Sequence, residues 1–198
     1  MDITIRELSS TLIRDFFDVF ENGSLSDKPE YGGARICDCY CVYPQMPDWG
    51  TLESEEKAGG NSLRPCAERL IKDGTLCGYL AYVDGRAVGW CNANDKNTYA
   101  MFTRENCPVR WDNYTGKIKS IACFLIATGM RRKGIASALL ERVLVDAAKG
   151  GYNCVEAYPA KEKSDVWDGH QGPARLYERF GFVVHGELEN QTIVRKYL

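Results

Sequence analysis

Lys117-Ile-Lys-Ser-Ile-Ala-Cys-Phe-Leu-Ile126, then Ala-Thr-Gly129, then Met130-Arg-Arg-Lys-Gly-Ile-Ala-Ser-Ala-Leu139 is the stretch on which the fold turns. Residues 121–126 are continuously apolar, as in a strand covered on both faces, so this strand is expected at the centre of a sheet. From Gly134 to Lys149, Ile135, Leu139, Leu140, Val143, Leu144 and Ala147 form a wide apolar face suited to lying on that sheet, and Gly150-Gly151 ends the helix. Strand, tight connection and helix leave the first N–H groups of the helix unpaired at its positive end. Gly134 and Ala136 keep side chains out of the way, and Arg131, Arg132 and Lys133 add cationic charge, which together make an anion cradle suited to a pyrophosphate.

The elements around this unit follow the same logic. Ile3 and Ile5 alternate as in a short strand, and Ser9 or Ser10 caps a helix carrying Leu12, Ile13, Phe16, Phe17 and Phe20. Residues 21–35 are rich in Gly, Ser, Asp and Pro and read as loop, residues 36–43 alternate as a strand would, and a second loop follows. Asn61 or Ser62 caps a helix with Pro65 in its first turn, ending near Gly74. Residues 76–83 and 86–93 are apolar runs joined by Asp84-Gly85, a type I′ hairpin signal. Residues 94–116 read as irregular, 154–158 as a strand, Pro173 to Phe180 as a short helix closed by Gly181, and 182–188 with 192–198 as a final hairpin.

Bulk properties narrow the function classes. Lys and Arg total 25 against 27 Asp and Glu in 198 residues, so no global positive field gathers nucleic acid or an anionic membrane surface. One core, and hence one domain over residues 1–198, is expected from the length. No basic-then-apolar leader opens the sequence and no apolar run approaches the ~18 residues of a membrane span, which points to a cytoplasmic protein. Nine cysteines without an export signal are expected as reduced thiols. Cys37, Cys39 and Cys41 would share one face of a strand and could offer thiolates to a soft metal, but buried reduced cysteines are the expectation and no metal site is assigned.

Two ordered motifs resemble the GNAT superfamily of N-acetyltransferases. Arg131-Arg-Lys-Gly134-Ile-Ala136 is similar to its pyrophosphate loop, and Ala174-Arg-Leu-Tyr177-Glu-Arg-Phe-Gly181-Phe182 is similar to its terminal helix and Tyr…Gly-Phe ending. The likeness covers residues 76–198 well and the opening strand and helix more loosely, with residues 21–60 an unplaced insertion or acceptor-side segment. It implies an acyl-CoA N-acyltransferase fold, α/β with a central mixed sheet flanked by helices and splayed between strands 117–126 and 152–159. It implies acetyl-CoA as co-substrate. The pantetheine arm would lie along Phe124, Leu125 and Ile126, and the pyrophosphate against the backbone of Arg131, Arg132, Lys133, Gly134, Ile135 and Ala136, with Ser137 able to add a hydroxyl.

Tyr177 matches the family tyrosine that protonates the departing thiolate; position alone favours a core tyrosine with its hydroxyl satisfied, and the surrounding motif reverses that preference. The strand before the loop carries no carboxylate, a departure that leaves the base to come from elsewhere, and Glu156 on the next strand is the candidate, with a salt-bridged carboxylate as the competing reading. The asparagine often found before the terminal helix is also missing, and His170 or Gln171 could stand in. The expected partners are acetyl-CoA and an amine acceptor, with a homodimer left open and neither nucleic acid nor membrane expected. Tyr40, Tyr43, Trp49, Trp111 and Tyr114 are expected to wall the acceptor side. A dinucleotide-binding reading fails on Gly134-x-Ala136-x-x-Leu139. The rival keeps the fold and drops the chemistry, giving an acyl-CoA-binding sensor module.

Overall fold

The computed structural model describes residues 1–22, 39–103, 107, 114–161 and 170–198. Seven strands form one sheet in the order β1-β2-β3-β4-β5-β7-β6. They are β1 (Thr4–Glu7), β2 (Gly78–Val83), β3 (Arg86–Asp95), β4 (Ile118–Ile126), β5 (Cys154–Ala157), β6 (Val183–Glu187) and β7 (Thr192–Tyr197). Every neighbouring pair is antiparallel except β4 with β5, which is parallel because α5 (Ile135–Lys149) carries the chain from one to the other. The sheet is mixed, flanked by helices, and agrees with the fold class expected from sequence.

The hairpin β2–β3 turns where the Asp84-Gly85 pair requires it, with both residues left-handed at φ 50° and 74°. On one face of the sheet α5 packs Ile135, Leu139, Leu140, Val143 and Ala147 against Tyr79, Ala81, Ile121, Phe124 and Val155. On the other, α1 (Ile13–Asn22) and α3 (Arg64–Lys72) bury Phe16, Phe17, Phe20, Ala67 and Ile71 around Trp90, whose indole meets the Phe16 ring edge-on at 5.0 Å. Two faces so covered explain why all six residues of β2 are buried and why the central runs lack alternation.

Three expectations are corrected. Of the strand expected over 36–43, residues 36–38 lie outside the described set, and the rest is a turn at Cys39-Tyr40 followed by a 3₁₀ turn at Tyr43–Gln45. Tyr40 and Cys41 are left-handed, at φ 38° and 53°, so Cys39 and Cys41 do not share a strand face; Tyr40, Cys41 and Val42 are all buried, which is why the residue types looked like a strand. The loop expected after it contains α2 (Trp49–Ala58), whose N-cap Asp48 accepts a 2.7 Å bond from the Thr51 amide. The irregular stretch from 94 begins with the last residues of β3, a 3₁₀ turn at Lys96–Thr98 and the short α4 (Ala100–Thr103). The terminal helix is α6 (Ala174–Arg179).

Among the described residues no helix is long and apolar enough to cross a membrane, and no group of His, Cys, Asp and Glu is placed to hold a metal ion.

Candidate active site

β4 is nine residues long, yet β5 pairs with only Ile118–Ile121 of it. β3 stays paired with β4 to its end, through Trp90 opposite Leu125 and Gly89 opposite Ile126. Beyond Ile121 the sheet therefore splays, and β4 turns an edge towards the gap. The Ala127 amide is bonded back to the β3 side, to the Val88 carbonyl at 2.9 Å. Strand alternation then puts the Leu125 amide on that side too, and the amides of Phe124 and Ile126 on the open side. These are the two amides expected to receive a pantetheine arm.

The edge leads into the connection 127–134. Met130 closes a turn onto the Ala127 carbonyl at 3.0 Å, and Gly129, Arg132 and Gly134 are left-handed at φ 74°, 60° and 86°. Alternating hands at Arg132, Lys133 and Gly134 turn successive amides towards one concave side, the backbone arrangement that collects anions. Left-handed geometry at Arg132, which is not glycine, is a local strain of the kind concentrated at functional loops. The first intrahelical bond of α5 runs from Ala138 to the Gly134 carbonyl at 3.0 Å, which leaves the amides of Ile135, Ala136 and Ser137 without intrahelical partners. A Cβ built on Gly134 meets nothing within 4 Å, so the space in front of the helix end is open. Arg132 and Lys133 are exposed, and Arg131 braces the turn through Nε to the Ile126 carbonyl at 3.3 Å. The cradle is thus continuous with the edge of β4 that β5 leaves unpaired.

Tyr177, from α6, reaches the splay from the α5 side of the sheet. Its ring packs against Phe182 at 5.2 Å, and its hydroxyl, in a side chain 1% exposed, donates to the Gln171 carbonyl at 2.6 Å. Burial pushes the phenol well above its ordinary value, so it is a proton donor throughout the neutral range. The Phe124 ring and the Tyr177 hydroxyl both lie against Gly172, within 3.3 Å and 3.1 Å of where its Cβ would be. The structure thus brings Phe124, the end of β4, the cradle and Tyr177 to one side of one gap.

Glu156 lies across β5 on the opposite face and is fully buried. Its Oε2 accepts from Arg195 at 2.5 Å and its Oε1 from the Tyr158 hydroxyl at 2.5 Å, while Lys96 Nζ stands 2.7 Å from Oε1. Two cationic side chains and a phenol share one carboxylate, so both its oxygens are engaged within the cluster. Tyr158 also meets Ser120 Oγ at 2.7 Å, and the Tyr99 hydroxyl donates to Asn92 Oδ1 at 2.7 Å, all beside the point where β4 and β5 part. The sequence reading missed this buried polar cluster. Its signal was there: Ser120 and Glu156, which face each other in the parallel ladder, are polar interruptions of otherwise apolar central strands.

The expected aromatic wall is dispersed. Tyr40 packs on Phe17 and Phe20 in the core, Tyr43 stacks on the exposed Trp49, Tyr114 sits under Arg195, and Trp111 lies outside the described residues.

Comparison with known proteins places this geometry. The model of the acetyltransferase (GNAT) family matches residues 40–182. By sequence, no curated protein matches. By structure, the chain resembles a PaiA N-acetyltransferase from Thermoplasma acidophilum crystallised with coenzyme A (TM-score 0.54, 18% identity, all of both chains). It also resembles a GNAT-family acetyltransferase from Listeria monocytogenes (TM-score 0.57, 10% identity, 99% of this chain and 95% of that one) and an agmatine N-acetyltransferase (TM-score 0.56, 13% identity, all of both chains). At these identities the structural likeness speaks for the fold.

Proposed function

As the chain belongs to the GNAT acetyltransferase family, we propose that it transfers the acetyl group of acetyl-CoA to a primary amine. The observation that carries this reading is the continuity of three features along one gap: the open edge of Phe124 and Ile126, the left-handed cradle ending at Gly134, and the Tyr177 phenol. The donor supplies an acetyl group activated as a thioester. Phe124 and Ile126 offer amides to its pantetheine arm, and the amides from Arg131 to Ser137, backed by the Arg132 and Lys133 charges, hold its pyrophosphate.

In the reaction the amine nitrogen bonds to the acetyl carbon, the carbon–sulfur bond breaks, one proton leaves the amine and one is delivered to the sulfur. Tyr177 Oη holds the second proton and is the general acid. Glu156, the expected base, is taken up by Arg195, Lys96 and Tyr158 and serves instead as a positioning residue that fixes the Tyr158 hydroxyl beside the splay, while the amine arrives as free base and loses its proton to water. The protein works as a cytoplasmic enzyme.

Release of free thiol from acetyl-CoA with a panel of peptides, polyamines, amino acids and aminoglycoside-like amines tests the proposal. At least one amine should give time-dependent release. Binding of acetyl-CoA without release by any of them would make the chain a sensor module.

A further inference from the structure

The open edge of β4 is already in use. The Phe124 amide donates to the His170 carbonyl at 2.5 Å, and the Tyr177 hydroxyl donates to the next carbonyl in the chain, that of Gln171, at 2.6 Å. Two consecutive carbonyls therefore cap two of the groups that the proposed reaction needs. Gly172 completes the seat. It is buried and left-handed at φ 78°, with a Cβ position 3.1 Å from Tyr177 Oη and 3.3 Å from Phe124 Cδ2, so only a residue without a side chain enters without strain.

We propose that His170–Gly172 is a built-in plug of the cofactor slot, a backbone segment that occupies the line of the pantetheine arm along β4 and is displaced when acetyl-CoA binds. The inference rests on the cofactor placement proposed above. Two donors at a buried edge would be costly without acceptors: at the Phe124 amide the plug supplies an amide carbonyl where the incoming arm brings one of its own, and at Tyr177 Oη it holds the place of the thioester sulfur. Once displaced, the carbonyls of His170 and Gln171 are free to turn to water, since both residues are only half-buried in place. Each donor thus passes from one partner to another, and affinity is set by how readily the segment leaves. A slot that is open only part of the time lowers the apparent affinity by the open fraction, so loosening the plug should tighten binding.

Coenzyme A itself is the probe, with hydrogen exchange and a binding titration on the full chain. In the wild-type protein, saturating coenzyme A should slow exchange over 131–137 and speed it over 170–172. In Gly172→Ala the left-handed backbone and the close contacts disfavour the seated plug, and coenzyme A should bind about 5- to 30-fold more tightly, the range set by the penalty for an L residue in that conformation. Slowed exchange over 131–137 with no gain over 170–172 in the wild type overturns the plug and leaves the cofactor placement standing. So does a folded Gly172→Ala with unchanged or weaker affinity. No change over 131–137 at saturation overturns both.

Discussion

Replacing Tyr177 by Phe keeps the ring and its 5.2 Å contact with Phe182 while removing one hydroxyl, so its consequences separate cleanly. The hydroxyl makes a single buried bond of 2.6 Å to the Gln171 carbonyl. Losing it should cost about 1 kcal/mol, which for a chain of this size lowers the melting temperature by roughly 2–4 °C. The same bond anchors the plug, so coenzyme A affinity should rise by about 5-fold, the equivalent of ~1 kcal/mol. Chemistry moves the other way. With no proton held at the sulfur, kcat should fall by about 10²-fold at saturating amine and acetyl-CoA. Because burial raises the phenol's pKa, the wild-type tyrosine is fully protonated across the neutral range and the loss should be the same at each pH there. The assay is kcat by thiol release, with melting temperature and coenzyme A affinity on the same preparation. Unchanged kcat at saturation, with the expected thermal shift, would make Tyr177 a core tyrosine and remove it from the mechanism.

Gly134→Glu puts a carboxylate and a side chain into the open front of the cradle; acetyl-CoA should lose its thermal shift while the fold survives a left-handed penalty of about 1–2 kcal/mol, and retained binding would refute the cradle. Glu156→Gln leaves Arg195 and Lys96 beside a neutral amide, and denaturant titration should show a loss of about 3–5 kcal/mol; a loss under ~1 kcal/mol would mean that the ion cluster is not what holds β5 to β7. Burial raises the phenols of Tyr79, Tyr82, Tyr99, Tyr158 and Tyr177 above the unfolded value of about 10. Their contribution to stability is complete below that pH and is lost as pH rises towards the folded values, so tyrosinate absorbance should appear together with unfolding; titration of all five in an intact fold would contradict it.

The parts of the fold that could be read from sequence are those where local chemistry and tertiary packing agree. Asp84-Gly85 dictates its own turn, and the apolar face of α5 is wide enough to require a sheet beneath it. The cradle was visible because glycine, a small residue and three basic side chains fall within six positions. Tyr40 to Val42 misled because they are buried at a turn whose first two residues, Tyr40 and Cys41, are left-handed, and burial alone was legible there. α2 was missed because none of its residues is buried, so it carries no apolar periodicity, although Asp48 marked its start. The role of Glu156 depends on strand register, which sets Arg195 directly opposite it across β5 and β7, a relation between residues that no local pattern contains. Likewise, nothing in His170-Gln171-Gly172 as letters says that its carbonyls meet Phe124 and Tyr177.

The four-residue ladder between β4 and β5 makes the sheet two blades sharing a short seam, β1 to β4 on one side and β5, β7 and β6 on the other. The first blade is nucleated by the two-residue β2–β3 hairpin, whereas the seam joins strands separated by α5 and pairs over only four residues of each. A non-local ladder that short makes the seam a late event in folding and an early one in local opening. The amides of Cys154–Ala157 should therefore exchange before those of β2 and β3, so that the splay is also the joint at which the molecule most readily comes apart.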